Sequence, residues 1–120
     1  MTPEQRGIVL IPVPFSDLSS VKKRPVLVLS GHDYNSTSSD VVVAAITSNP
    51  QSGPYGIRIT SEELDRGTLP VESFVRADKL YTLSQTIILK RFGRVNDRAF
   101  RVILGEIDKV FGKELLPDSS

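Results

Sequence analysis

The chain contains no cysteine and a single histidine, His32. The first absence excludes a disulfide framework and a thiolate metal site. The second excludes a multi-histidine metal cluster within one chain. An excess of charge of one sign is also missing: the formal net charge is +1, so no bulk field advertises a nucleic-acid partner. Binding to one has to come from a local cluster. No apolar run approaches membrane-spanning length, and the first seven residues hold no hydrophobic leader core. A soluble, cytoplasmic protein is expected. Its 120 residues predict one domain over 1–120, large enough to bury a core without staples.

What is present centres on Lys22-Lys23-Arg24-Pro25-Val26-Leu27-Val28-Leu29-Ser30. The Val-Leu-Val-Leu run reads as a strand buried on both faces. Three cations stand at its mouth, followed by a proline, a residue tolerated at the first position of a strand. Pro25 also pushes Arg24 into an extended conformation, which roots its guanidinium on a rigid element. A planar cation so placed suits a carboxylate or a phosphate, although a solvated basic turn explains the same residues.

The remaining pattern is that of short strands. Ile8-Val9-Leu10-Ile11 precedes Pro12 and Pro14, which suggest an exposed edge or a bend. Ser16 to Ser20 reads as a turn, and His32 to Asp40 as a polar loop in which His32 is a surface residue. Val41 to Ile46 is a second apolar strand, ending in the small polar cluster Thr47-Ser48-Asn49-Pro50. Such residues make turn hydrogen bonds or, on a rigid strand end, reach a ligand. Ile57-Arg58-Ile59 alternates, Thr60-Ser61-Glu62-Glu63 caps one helical turn, and Asp65-Arg66-Gly67 turns the chain. In Ser73 to Leu80 the period of two puts Arg76 and Asp78 on one face, where an ion pair worth well under ~1 kcal/mol is the simplest reading. A last strand runs from Ile87 to Val95, with Gly93 a candidate bulge. Asn96 caps a helix whose Phe100, Ile103, Leu104, Ile107, Val110 and Phe111 recur at helical spacing up to Gly112. Pro117 to Ser120 is expected to fray. Five to six strands and one C-terminal amphipathic helix describe a small α+β domain with a strongly curved sheet or barrel.

The order of these pieces resembles the MazF/PemK family of bacterial toxins, represented also by Kid. These are the ribonuclease halves of type II toxin–antitoxin pairs. The carriers are Ile8-Val9-Leu10-Ile11-Pro12, Lys23 to Ser30, Ala45-Ile46-Thr47-Ser48, Val75-Arg76-Ala77-Asp78-Lys79-Leu80 and Phe92-Gly93-Arg94-Val95. The resemblance implies an SH3-like barrel of the kind shared with the gyrase toxin CcdB. It also implies a homodimer that cuts single-stranded mRNA at specific sequences, without metal or cofactor, and is held by a cognate antitoxin through an acidic or disordered segment. The family's functional residues fall on Arg24, Thr47, Arg76 and Asp78, with Lys22, Lys23, Ser48 and Asn49 as RNA-binding candidates. Two stretches depart from the family pattern. The segment Phe15 to Lys23 is short, with Asp17 its only acid, and Arg6-Gly7-Ile8 replaces a Gly-Asp opening.

The residue types suit metal-free RNA cleavage. The 2′-OH of RNA is its own nucleophile, and a fixed arginine stabilises the charge of the phosphorane. A hydroxyl such as that of Thr47 adds a hydrogen bond, while Asp78 either serves as base or orients Arg76. Tyr34, Tyr55 and Tyr81 are the available stacking faces. A divalent site would need converging carboxylates, whereas Asp17 and Asp78 are scattered and Glu62-Glu63-Asp65 is explained by a solvated turn. The alternatives are a non-catalytic or degenerate interaction module on the same barrel, or a CcdB-like gyrase poison.

Overall fold

The computed structural model describes residues 2–14 and 21–112. The turn expected at Ser16 to Ser20, Asp17 within it and the tail from Pro117 lie outside the described residues. Among the described residues seven strands form one antiparallel sheet: β1 (Gly7–Pro14), β2 (Val21–Val28), β3 (Asp40–Thr47), β4 (Gly56–Ile59), β5 (Leu64–Gly67), β6 (Ser73–Ser84) and β7 (Lys90–Val95). Their order across the sheet is β4-β6-β3-β2-β1-β7-β5. Two helices accompany them, α1 (His32–Thr37) and α2 (Asp97–Phe111). The α+β class with a C-terminal helix is the expected one, and the sheet has one strand more than the upper expectation. Among the described residues no helix is long and apolar enough to cross a membrane.

The edge strands β4 and β5 are joined by a single 3-10 turn, Ser61–Glu63. A flat sheet of seven strands would hold its edges about 29 Å apart at the usual strand spacing. The steps from Ile59 to Leu64 span at most about 17 Å even fully extended. The sheet therefore has to curl towards closure. The turn is held by the capping box expected at Thr60, whose N–H donates to Glu63 Oε1 at 2.6 Å.

Curling gives the sheet an inner and an outer face, and both are apolar. Ile8, Leu27, Ala44, Ile46, Ile59, Val75 and Val95 point inwards and are closed over by Ala99, Phe100 and Ile103 of α2. Val9, Ile11, Val26, Val28, Val41 and Val43 point outwards under Leu83, Ile87 and Ile88. Burial on two faces is why the sequences of β1, β2 and β3 read as continuous rather than alternating apolar runs. In α2 the Asn96 side chain accepts from the Ala99 N–H at 2.8 Å, and Gly112 ends the helix with φ 59°. Leu104 and Phe111 belong to the expected apolar stripe but are exposed, whereas Ile107 packs against the inner core.

Three expectations are corrected. The His32 to Asp40 loop contains α1, whose Asn35 is buried and fully hydrogen-bonded: Nδ2 donates to Pro3 O and Ser30 O, and Oδ1 accepts from Ser30 Oγ. Gln85 closes the same region by donating from Nε2 to the carbonyls of Asn35, Ser38 and Asp40. Asp65-Arg66-Gly67 is part of β5, which pairs with β7 through Leu64↔Val95, Arg66↔Arg94 and Gly67↔Gly93. The last strand starts at Lys90, not Ile87, which ends a 3-10 turn. The bulge expected near Gly93 is present one residue away: Ile8 faces Gly93 and Val9 faces Arg91, leaving Phe92 unmatched.

An ion-pair network ties the segment before β1 to β5 and β7. Arg94 reaches Glu4 and Asp65, each at 2.7 Å, while Arg66 holds Glu4 at 2.8 Å and Arg6 holds Asp65 at 3.4 Å. The Glu4 carboxyl lies below its ordinary 4.5, first through the Arg66 hydrogen bond and against the cost of burial. Asp65 lies below 3.8, first through Arg94. Groups with lowered pKa stabilise the fold above their ordinary values, and that contribution is lost as pH falls through the lowered ones. Acidification below about pH 4.5 should therefore lower the thermal midpoint more steeply in the wild type than in Arg94→Met; parallel slopes would contradict the linkage.

Two glycines should respond in opposite directions to alanine. Gly67 has φ 81°, and a Cβ there would stand 2.5 Å from Phe92 O. Gly67→Ala should cost at least about 2 kcal/mol from backbone strain and clash. Gly105 lies within α2 with open space around it, so Gly105→Ala should gain about 0.5–1 kcal/mol. Denaturant unfolding reads both.

Candidate nucleic-acid interface

Pro25 has no N–H to give to a neighbouring strand. The β2–β3 ladder runs through Val26↔Ala45, Leu27↔Ala44 and Val28↔Val43 and goes no further towards Pro25. The β1–β2 ladder does continue, through Leu10↔Pro25, Ile11↔Arg24, Pro12↔Lys23, Val13↔Lys22 and Pro14↔Val21. The β7 strand leaves β1 after Leu10. Beyond Pro25 the two strands thus stand out as a ribbon, and Pro12 and Pro14 occupy a local edge although β1 is central to the sheet. On the other side Ile46 and Thr47 leave β2 and pair with Val75 and Phe74 of β6.

The separation opens two cavities that share a wall. A groove of about 600 Å³ on the outer face is lined by Arg24, Thr47, Arg76, Lys79 and Tyr81 over an apolar floor that includes Ile11, Val26 and Leu83. A cleft of about 200 Å³ opens beside it, and Arg24, Pro25, Ile46 and Thr47 line both. Lys23 and Ser48 belong to the cleft alone. The alternation of β2 accounts for this split, since Lys22 and Arg24 share the face of Val26 while Lys23 shares that of Leu27. The basic run thus divides between two faces. Lys22, Ser48 and Asn49 are all exposed, and neither Lys22 nor Asn49 lines the two cavities.

Arg24 is half-buried, and its side chain makes no hydrogen bond or ion pair with any described residue. A guanidinium held on a strand without a counter-ion has its five donors free for a ligand. Thr47 Oγ1 accepts the Asn49 N–H at 3.1 Å, and Asn49 Oδ1 accepts the Gln51 N–H at 2.9 Å. The turn after β3 is therefore internally satisfied, as its composition predicts, and the hydroxyl proton of Thr47 is left to donate.

Arg76 and Asp78 do share a face and do pair. Arg76 Nε donates to Asp78 Oδ1 at 3.1 Å and Nη2 to Oδ2 at 3.2 Å, a two-pronged contact that fixes the guanidinium plane. Asp78 lies below its ordinary 3.8, first because of that hydrogen bond and against burial. The pair occupies an excursion of β6: the ladder to β3 jumps from Ala44↔Leu80 to Ile46↔Val75, and Gly56 of β4 pairs with Arg76 instead. Arg76 lines the groove and Asp78 does not.

Of the tyrosines, Tyr81 reaches the groove, Tyr34 lies on α1 and Tyr55 precedes β4. His32 is exposed on α1, away from the groove. Lys79 lies within a stretch that carries the resemblance but was not singled out there, and the Leu69-Pro70-Val71 wall of the cleft carries no periodic or motif signal. Among the described residues no three acidic or histidine side chains gather as a metal-binding group.

Comparison with known proteins agrees with the fold. The family model for PemK-like, MazF-like toxins of type II toxin–antitoxin systems matches residues 4–111. No curated protein sequence matches the chain. Among solved structures, MazE–MazF from Deinococcus radiodurans superposes with a TM-score of 0.78 at 17% identity, covering 95% of this chain and 99% of that one. An endoribonuclease from a mycobacterial species gives 0.72 at 19% identity, covering 92% of each chain. The Mycobacterium tuberculosis toxin MazF-mt6 gives 0.71 at 22% identity, covering 88% and 96%. At these identities the superpositions speak for the fold, and the match over 4–111 speaks for the lineage. The chain belongs to the PemK/MazF-like toxin family of type II toxin–antitoxin systems.

Proposed function

We propose that the chain is an endoribonuclease that cuts single-stranded mRNA without a metal ion. The observation that carries the reading is Arg24: a strand-rooted guanidinium with no side-chain partner among the described residues, on the wall between two cavities, in one groove with the Thr47 hydroxyl and the locked Arg76. Structural relatives described as endoribonucleases, one of them in complex with its cognate antitoxin, support it.

In this reading the 2′-OH of one nucleotide gives its proton to solvent as its oxygen bonds to the adjacent phosphorus, while the bond to the 5′-oxygen breaks and that oxygen takes a proton from solvent. The products are a 2′,3′-cyclic phosphate and a 5′-hydroxyl. Negative charge grows on the phosphorane oxygens, and Arg24 and Arg76 meet it with fixed donors over the apolar floor of the groove, where water competes weakly. Thr47 donates its free proton to the same oxygens. Asp78 holds the Arg76 plane, since a carboxylate with lowered proton affinity is a weaker base than an ordinary one. Lys22, Lys23, Ser48 and Asn49 line the approach of the strand and contact its backbone.

We also assign a homodimer and an antitoxin whose acidic, initially disordered segment folds over the cations at Lys22, Lys23 and Arg24. That segment would compete with RNA for the same charges.

Arg24→Ala should lower cleavage of mixed-sequence single-stranded RNA by a hundredfold or more at an unchanged thermal midpoint. Thr47→Ala should lower it about tenfold, the effect of one lost hydrogen bond. His32→Ala should leave it unchanged. A loss in His32→Ala equal to that in Arg24→Ala would overturn the assignment.

Cleavage should persist in excess chelator, and a substrate with deoxyribose at the cut position should resist. Activity restored only by magnesium, or equal cutting of the deoxy substrate, would contradict attack by the 2′-OH.

A further inference from the structure

The cleft beside the groove has walls unlike the groove's own. Leu10, Leu69, Pro70 and Phe92 surround it, and Lys23, Ser48 and Ser73 add polar groups to the Arg24 and Thr47 it shares with the groove. Leu69 and Phe92 pack against the inner core, so the cleft is an opening into the mouth of the curled sheet, whereas the groove lies on the outer face. Phe92 is the residue left unmatched by the bulge between β1 and β7. An unmatched residue in a bulge is re-aimed relative to its strand.

From this juxtaposition we infer that the cleft is a nucleobase subsite, taking the base of a nucleotide next to the cleaved phosphodiester. The inference rests on the RNA reading of the groove. A cleft of about 200 Å³ falls below the size of sites for whole drug-sized ligands. Its apolar and aromatic walls fit a planar ring, and stacking on an aromatic face is the usual way an unpaired base is held. Arg24 and Thr47 line both cavities. A strand crossing that shared wall sets its phosphate against the guanidinium and the hydroxyl, with one base in the cleft and its neighbour over Tyr81 in the groove. Lys23, on the cleft side, meets the next phosphate.

The test starts by mapping cut positions in mixed-sequence RNA. Short oligoribonucleotides spanning one cut then carry an abasic residue at each flanking position in turn. The wild type should lose about tenfold or more in kcat/KM at one such position, the value of one stacked base. Two variants address the cleft. Val71→Trp fills it from a residue that is 56% exposed and so leaves the core intact; Phe92→Leu removes the ring but keeps an apolar side chain in place. Both should cut the base-bearing and abasic substrates at nearly equal rates, at the level of the wild type on the abasic one. If abasic substitution changes nothing at any position, or lowers wild type and both variants by the same factor, the subsite is wrong while the RNA reading stands. If the wild type cuts no RNA at all, the RNA reading fails and takes the subsite with it.

Discussion

The donor that Pro25 lacks shapes the end of this molecule that carries the candidate site. A residue with an N–H at that position could continue the β2–β3 ladder past Val26↔Ala45, where pairing stops. Because pairing stops, the β1–β2 ribbon and the β3–β6 pair part from each other, and the gap becomes the groove and the cleft. The same proline restricts Arg24 to extended backbone, so the guanidinium at the lip of the gap is fixed at its root. One residue thus stands where the gap opens and fixes the root of the charge at its lip.

The rest of the fold keeps that gap from collapsing. Closure of β4 onto β5 through one short turn curls the sheet, and the inner core beneath α2 fills the curl. Burying each of its larger aliphatic side chains is worth roughly 1.5–3 kcal/mol. The gap itself depends on three strands that are firmly held elsewhere: β1 by β7, β2 by β1 and β3 by β6. Remote from the site, the Glu4–Arg94–Asp65 network pins the segment before β1. Its charges are exposed or half-exposed, so each pair contributes modestly and the network works through its number of links.

Much of this was legible in the sequence, for identifiable reasons. Runs such as Val41 to Ile46 announce strands covered on both faces, and Asn96 followed by Asp97 announces α2. Thr60 to Glu63 carries its own capping box. Arg76 and Asp78 pair because the period of two is a property of any strand. What escaped depends on tertiary context. The β5 strand has only four residues, of which Asp65, Arg66 and Gly67 are exposed, and it is extended because β7 offers it a ladder. Asn35 is buried because Pro3 and Ser30, distant in sequence or outside the helix, satisfy its amide. The division of Lys22 and Arg24 from Lys23 was readable from alternation alone, but the cavity that makes it matter was not. Leu69, Pro70 and Phe92 carry no pattern that would group them before the chain folds.

The claim that unites these features is that the RNA crosses the shared wall with its scissile phosphate on Arg24 and Thr47. A crystal structure with a short oligoribonucleotide carrying a deoxyribose at the cut position tests it most directly. The account predicts that phosphate within hydrogen-bond distance of the Arg24 guanidinium and the Thr47 hydroxyl, with Arg76 still held by Asp78. A scissile phosphate bound away from the groove, with Arg24 left in solvent, would contradict it.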